Sequence, residues 1–288
     1  MKTLLLIDTH ALIHRFFHAL PPLTTPTGDP IGAIYGICGV LIKIFKEQKP
    51  DYIAACFDTP EITFREEQFK EYKAHRPPAP NELISQIKRA PEVFDFFGIR
   101  KFAKPGFEAD DLIGTLAEKF KNHSELAEGK IVIVSGDLDL LQLVDDDKVL
   151  AQISKTGITE TVIYDEKAVE ERYGLKPNQL NDLKGFLGDQ SDNIPGVNGV
   201  GPKTATPLIK EFGSVEGVYD NLMIIPEKIV KKIKDHQEIA LMSKKLATIK
   251  RDVPLEVSLE DLRAKPLDKK ALSEYFEKLG FKSLPQRL

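Results

Sequence analysis

The sequence predicts an α/β fold, a mostly parallel sheet flanked by helices, followed by a helical C-terminal region. Three observations predict it. Short apolar runs that lead into an acid recur near 3–8, 51–58 and 130–137. Segments with helical periodicity lie between those runs, which argues for parallel strands with helices on both faces. From about residue 166 onward the pattern is mostly helical.

The elements follow in order. "TLLLID" (3–8) reads as a short buried strand, not as a signal peptide, because the apolar run is brief and closes on an acid. "YGICGVLIKIFKEQ" (35–48) has helical spacing, and Lys43 makes it unfit to span a bilayer. "DYIAACFD" (51–58) is a second strand. Residues 61–80 are polar and basic, lack a core pattern and read as a mobile segment. Residues 81–98 return to helical spacing, with Pro91 expected to kink or divide the helix. "GFEADDLIGTLAEKF" opens a helix after Gly106. "KIVIV" (130–134) is a third strand, and two more are expected near 149–154 and 159–164. Further on, "NQLNDLKGFLGD", "KTATPLIKEFG" and "PEKIVKKIKDHQEIALMSKKLATI" are amphipathic. A length of 288 residues, at about 150 per domain, suggests two units, 1–165 and 166–288.

Hydrophobic residues make up 42% and charged residues 29%, as in globular chains that stay in water. Cys38 and Cys56 lie in apolar runs without metal-ligand spacing, so both are expected to be buried thiols in a reducing, cytoplasmic setting. The net charge of −4 counts against a nucleic-acid binder until the acids are located. Nine of them fall into clusters. The 44 acidic residues less these nine leave 35 against 40 basic ones, so the global charge does not decide for or against DNA.

The clusters carry the chemistry. Asp8, Asp58 and Asp137 close three strands, and open parallel sheets bind ligands outside the carboxyl ends of their strands. Asp139 follows Asp137 by two residues. Glu108, Asp110 and Asp111 sit at a helix start, and "GDQSDN" adds Asp189 and Asp192. Taken singly, each is an ordinary helix-start acid or turn. Brought together, nine carboxylates would repel one another unless cations neutralised them. Oxygen-only ligands suit Mg²⁺ or Mn²⁺, and two such ions about 4 Å apart can clamp the attacking and leaving oxygens of a phosphodiester displacement. His10, His14 and His18 recur every four residues, but a zinc-protease helix needs Glu where Ala11 stands, so packing or DNA contact is the better reading.

Two segments suit phosphate. "GVNGVGPKTA" (196–205) is glycine-rich and runs into a helix at Pro202. Gly199 and Gly201 allow close backbone approach, the helix start offers N–H donors, and Lys203 adds charge. The stretch from Arg65 to Arg76 interleaves basic residues with Phe64, Phe69 and Tyr72, a pattern suited to unpaired bases. Lys228, Lys231, Lys232 and Lys234 read as a solvated helix face, with distal duplex contact as the alternative.

Together, "LLLIDTHALIHRFFHAL", "FDTPEITFREEQFKEYKAHRPPAP", "GFEADDLIGTLA", "SGDLDLLQL", "GDQSDNIPGVNGVGPKTA" and "LGFKSL" resemble the structure-specific 5′-nuclease family. Within it they are most similar to the N-terminal 5′→3′ exonuclease domain of bacterial DNA polymerase I. The resemblance covers essentially the whole chain. It implies a PIN-like nuclease domain over 1–165 with a basic arch at about 61–82. It also implies a C-terminal region carrying a helix–three-turn–helix DNA-binding element at about 188–213.

On that resemblance, Asp8, Asp58, Glu108 and Asp110 would serve one Mg²⁺, with Asp111 nearby. Asp137, Asp139 and Asp192 would serve a second, with Asp189 outside them. Lys73 and Arg76 would contact the scissile phosphate. Arg15, Arg65, Tyr72, Gly199, Gly201, Lys203 and Thr204 would contact DNA, and K⁺ would sit at the helix–three-turn–helix. The implied activity is 5′→3′ exonuclease and 5′-flap endonuclease action in replication and repair. The implied partners are flapped, nicked or overhanging DNA and RNA-primer hybrids, met by a cytoplasmic, nucleoid-associated monomer with no membrane role. Thr9, His14 and Pro202 depart from residues frequent in the family, and none of the three is an expected metal ligand. A non-catalytic junction binder would lack several of the acids. A PIN-type ribonuclease would have no use for the arch or the glycine loop.

Overall fold

The computed structural model describes residues 1–146, 148–154 and 160–288. Six strands form one sheet: β1 (Thr3–Asp8), β2 (Tyr52–Phe57), β3 (Arg100–Ala103), β4 (Lys130–Ser135), β5 (Val149–Ser154) and β6 (Thr161–Tyr164). Their order is β3-β2-β1-β4-β5-β6. The first five pair in parallel and β6 runs antiparallel to β5.

The apolar runs are continuous because both faces are covered. Leu5 and Ile7 of β1 face a core shared with α1 (Thr9–Ala19), α2 (Gly32–Lys43) and α4 (Asn81–Phe96). Leu4 and Leu6 face the other core, shared with α5 (Ala109–Phe120) and residues from the 249–262 stretch. Side chains alternate between the two faces of a strand, and all four are fully buried. Each contributes about 2 kcal/mol of apolar burial. Cys38 and Cys56 are buried free thiols.

The remaining helices are α3 (Phe64–Gln68), α6 (Glu166–Tyr173), α7 (Leu180–Leu187), α8 (Pro202–Phe212), α9 (Val215–Asp220), α10 (Glu227–Ile233), α11 (Gln237–Ala247) and α12 (Lys269–Lys278). Helices α7 to α11 surround a third core that includes Phe186, Ile209, Val215 and Ala240. The chain then returns to the sheet, where Leu272 and Phe276 of α12 join the core of the first face. No helix among the described residues is long and apolar enough to cross a membrane.

Several expected elements come out differently. Pro91 lies inside one continuous 16-residue helix. Its neighbours Ala90, Val93 and Phe94 are fully buried. Their packing outweighs an interior proline's cost of about 3 kcal/mol. The helix expected over 35–48 is α2 followed by a π turn, Ile44–Gln48, closed by Lys49 at φ 45°. The long amphipathic stretch from 226 breaks after Ile233 and resumes at Gln237. Strand β3 was not expected, because it is short and opens on two charged residues. The expected strand 159–164 begins at Thr159, outside the described residues, and β6 supplies its remainder from Thr161.

Segment 61–80 is also not the free loop its composition suggests. Glu66 accepts from Thr63 N–H at 2.8 Å where α3 starts. Arg65 and Tyr72 are 2% and 3% exposed. Lys73 N–H donates to the carbonyl of Asp192 at 2.9 Å, tying the segment to the turn between α7 and α8. That turn needs two glycines. Gly188 and Gly196 have φ of 68° and 62°. A Cβ on Gly196 would lie 2.2 Å from the Gly188 nitrogen.

Candidate metal and nucleic-acid site

The parallel strands deliver their acids to one edge. Register places Asp8 opposite Cys56 and Ile7 opposite Val134, so the ends of β1, β2 and β4 lie side by side. Beyond them opens a cavity of about 720 Å³. Asp8, Asp58, Glu108, Asp110, Asp137, Asp139 and Asp192 line it, seven of the nine clustered acids.

Local structure fixes each one. Asp8 caps α1, accepting from Ala11 N–H at 3.1 Å, and accepts from Ser135 Oγ at 2.5 Å. Ser135 Oγ accepts in turn from Asp137 N–H at 2.9 Å, and Asp137 Oδ1 accepts from Asp139 N–H at 2.8 Å. Asp58 accepts from Ala109 N–H at 2.7 Å, which joins β2 to the start of α5. Its own N–H donates to His10 Nδ1 at 3.1 Å. Asp111 accepts from Glu108 N–H at 3.1 Å as α5 begins, and Glu108 lines the cavity.

The electrostatics are those of crowded acids. Burial pushes the Asp8 carboxyl up to about 7, and Asp58 and Asp137 add to the rise against the bonds from Ser135 and Ala11. Burial raises Asp110 well above the carboxylate range, with Asp8, Asp137, Asp58 and Glu108 adding repulsion. Burial and Asp137 push Asp139 up to about 6, against the pull of Lys184. Lys73, Arg76 and Lys184 oppose this. Lys73 Nζ donates to Glu108 at 2.6 Å and Arg76 to Asp192 at 2.5 Å. Lys184 bridges Asp139 and Asp189. Arg65 also reaches Glu108 at 3.4 Å. Seven carboxylates against four cations is still a donor set that fits hard divalent ions, since a cation in the cavity would relieve the repulsion that raises these groups.

The remaining expected site residues divide. Asp111 is fully buried and does not line the cavity. Its oxygens accept from Arg65 at 2.7 and 2.8 Å, from Lys250 N–H at 2.8 Å and from Glu108 N–H at 3.1 Å. No lone pair is left for a metal, and the expectation of a ligand at Asp111 is corrected. Arg65 is likewise spent, since it also donates to the carbonyls of Leu246 and Thr248, and it has no surface for DNA. Tyr72 offers no ring for stacking. It is buried, and its hydroxyl reaches Glu108 at 3.1 Å and Asp192 at 3.0 Å. Asp189 stands beside the cavity, not in its wall, held by Lys184 and Ser191. Arg15 is half-buried on α1 next to Gly136.

The glycine loop lies open. A Cβ on Gly199 or Gly201 would meet nothing within 4 Å, and Gly199 has φ 75°. Thr204 and Ala205 donate to the Gly201 carbonyl as α8 begins. Lys203 is exposed beside them, and Lys232 of α10 donates to the Gly199 carbonyl at 3.3 Å.

Sequence reasoning missed Ser135 and Lys184, whose types and spacing carry no signal. It also left His10, His14 and His18 open, and all three line the cavity. Burial holds His10 below the usual imidazole range, while burial together with His10, His18 and Arg76 does so for His14. Among the described residues, one trio of carboxylates has oxygens all within 4.8 Å of one another: Asp145, Asp146 and Glu166. It was not anticipated either. It lies where β5 begins and β6 ends, at the opposite edge of the sheet.

Comparison with known proteins gives a consistent picture. Residues 3–174 match the family described as "5′-3′ exonuclease, N-terminal resolvase-like domain". Residues 175–270 match "5′-3′ exonuclease, C-terminal SAM fold". The chain is 43% identical over 287 residues to DNA polymerase I of Caldicellulosiruptor bescii, covering 99% of this chain and 33% of that protein. It is 40% identical over 288 residues to DNA polymerase I of Bacillus subtilis, covering 100% of this chain and 32% of that protein. The chain thus spans about a third of the length of the curated relatives it matches. Among solved structures it is similar to bacteriophage T5 5′-exonuclease with bound zinc (TM-score 0.70, 23% identity, 85% of this chain and 89% of that one). It is also similar to the T5 flap endonuclease with DNA and metal ions (0.67, 20%, 99% and 96%). A third is the catalytic core of Rad2 with DNA substrate (0.57, 18%, 99% and 90%). At these identities the structural likenesses establish the fold.

Proposed function

The chain belongs to the 5′-3′ exonuclease family, a metal-dependent nuclease family, and on that premise we propose that it is a structure-specific 5′→3′ exonuclease and 5′-flap endonuclease. Its substrates would be flaps, nicks and overhangs, RNA-primer hybrids included, in replication and repair. The observation that carries the reading is the acidic basin of seven carboxylates at the carboxyl edge of a parallel sheet, rimmed by Lys73 and Arg76. Neither a non-catalytic junction binder nor a PIN-type ribonuclease explains the basin, its cationic rim and the open glycine loop together.

We infer that Asp8, Asp58, Glu108 and Asp110 hold one Mg²⁺ and that Asp137, Asp139 and Asp192 hold a second, with Mn²⁺ an equivalent occupant. Divalent cations held there would supply Lewis acidity at the phosphate and would lower the pKa of a bound water. Ser135 keeps Asp8 and Asp137 in register through its shared hydroxyl. Lys184 orients Asp139 from behind and ties Asp189 to the site as an outer group. Lys73 and Arg76, bonded to Glu108 and Asp192 here, would turn to the scissile phosphate and stabilise charge there. The loop 196–201 and the start of α8 would grip the duplex backbone through N–H groups, Lys203 and Thr204. K⁺ would sit on the carbonyls of that loop in a helix–three-turn–helix. The working unit would be a monomer. The products would be a 5′-phosphate and a 3′-hydroxyl.

The test is Asp137→Ala. Cleavage of a 5′ flap falls by about 10³-fold or more, the scale of losing a central electrostatic group, while flap binding is kept. A near-normal rate would remove Asp137 from the chemistry and break the two-ion assignment.

A further inference from the structure

Near the acidic basin lies a second cavity, of about 390 Å³, lined by Phe64, Glu216, Leu241, Lys244, Lys245, Thr248 and Lys250. We propose that this groove between α3 and α11 binds the phosphodiester chain of the unpaired strand beyond the cleavage site. The inference rests on the nuclease reading and adds a subsite to it.

Three observations support it. The first is charge. Lys244 is neutralised by Asp182 at 2.7 Å and Glu216 at 2.6 Å. Lys245 and Lys250 are exposed, and neither has a carboxylate within 4.0 Å among the described residues. Two uncompensated ammonium groups on one wall suit an anionic ligand. The second is shape and polarity. The volume falls in the range of a small-ligand site, enough for a nucleotide-sized group but not for a duplex. Phe64 and Leu241 give it an apolar wall, and Lys250 Nζ stands 5.6 Å from the centre of the Phe64 ring. An aromatic wall with ammonium groups around it is the chemistry that holds single strands.

The third is position. The Arg65 guanidinium is the partition between the two cavities. One arm reaches Glu108 of the basin at 3.4 Å, and the other donates to the carbonyl of Thr248, which lines the groove, at 3.0 Å. The two cavities are thus one side chain apart, and a strand that crosses α3 from the basin would meet the groove.

The experiment compares DNAs carrying 5′ flaps of one nucleotide and of about ten, a length within the usual site sizes for single strands. Binding is followed by fluorescence anisotropy in EDTA, for the wild type and for Lys245→Ala/Lys250→Ala. The wild type should bind the long flap about tenfold more tightly. The double variant should lose that increment, with the salt slope for the long flap falling by about 1.4, or 0.7 per phosphate contact on a single strand. Lys245→Arg/Lys250→Arg should retain it, which guards against a folding effect of the alanines. Equal losses on both flaps, or no loss on either, overturn the proposal. So does a wild type that cleaves flaps yet binds both lengths alike, which leaves the nuclease reading intact. A wild type that neither binds nor cleaves flaps sinks both.

Discussion

Arg65→Ala separates a structural cation from a DNA contact. Arg65 looks like a ligand for phosphate in the sequence, and in the fold it is a buried pin. Its guanidinium bonds both oxygens of Asp111 at 2.7 and 2.8 Å and the carbonyls of Leu246 and Thr248 at 2.9 and 3.0 Å. Removing it strands a fully buried carboxylate. Breaking a buried pair by deleting one partner costs about 3–5 kcal/mol. Two carbonyls that lose a donor add about 1 kcal/mol each. The expected loss is therefore about 5 kcal/mol or more, against a total stability of about 5–15 kcal/mol. In a chain this long it appears as a fall in Tm on the order of 10 °C. Urea unfolding followed by circular dichroism measures it, and Arg65→Met/Asp111→Leu should recover part of the loss because no charge is then left buried. An Arg65→Ala protein that loses under about 1 kcal/mol, but whose flap affinity drops with a shallower salt dependence, would refute the reasoning and restore Arg65 as a phosphate contact.

Metal binding should depend steeply on pH. Asp8 and Asp139 are pushed up to about 7 and about 6, chiefly by burial, so an incoming ion must displace their protons. Mn²⁺ affinity measured by calorimetry should weaken as pH falls from 7 to 6, with proton release on binding, and a flat profile would contradict the crowding argument. In EDTA these raised carboxyls make their full stabilising contribution below the ordinary carboxylate range and lose it as pH rises from about 4 to about 7. His10 and His14, held below the usual range by burial, act in the opposite sense and lose theirs as pH falls below 6.5. Asp8→Asn should flatten the carboxylate part of the stability profile in EDTA, and an unchanged slope would show that Asp8 is not the group responsible. Gly196→Ala combines a left-handed backbone with a Cβ 2.2 Å from Gly188 nitrogen, so it should cost about 2–5 kcal/mol by thermal unfolding. A loss under about 1 kcal/mol would mean that the turn rearranges freely.

What the sequence made legible was periodic and local. Buried parallel strands are continuous apolar runs, so β1, β2 and β4 stood out, and an acid at the end of each run marked the edge where a site forms. What it hid was pairing at a distance. Arg65 and Asp111 are 46 residues apart, and nothing near either one says that they meet. The same holds for Tyr72 and Asp192, 120 residues apart. A basic aromatic segment and a clamped one have the same composition, and only the partners tell them apart. Ser135 and Lys184 escaped notice because a serine after a strand and a lysine in a helix are commonplace until their neighbours are known. Strand β3 was lost because an edge strand of four residues opening on Arg100 and Lys101 lacks an apolar run to read.

The central claim is hydrolysis at a junction by cations held in the acidic basin. Its most direct test is a 5′-labelled flap annealed to a template, incubated with the protein and Mg²⁺, alongside EDTA and single-stranded DNA controls. The account predicts a short labelled product released near the junction, none in EDTA, and little from the single strand. Tight flap binding with no cleavage in Mg²⁺ or Mn²⁺ would contradict it and make the chain a junction-binding protein.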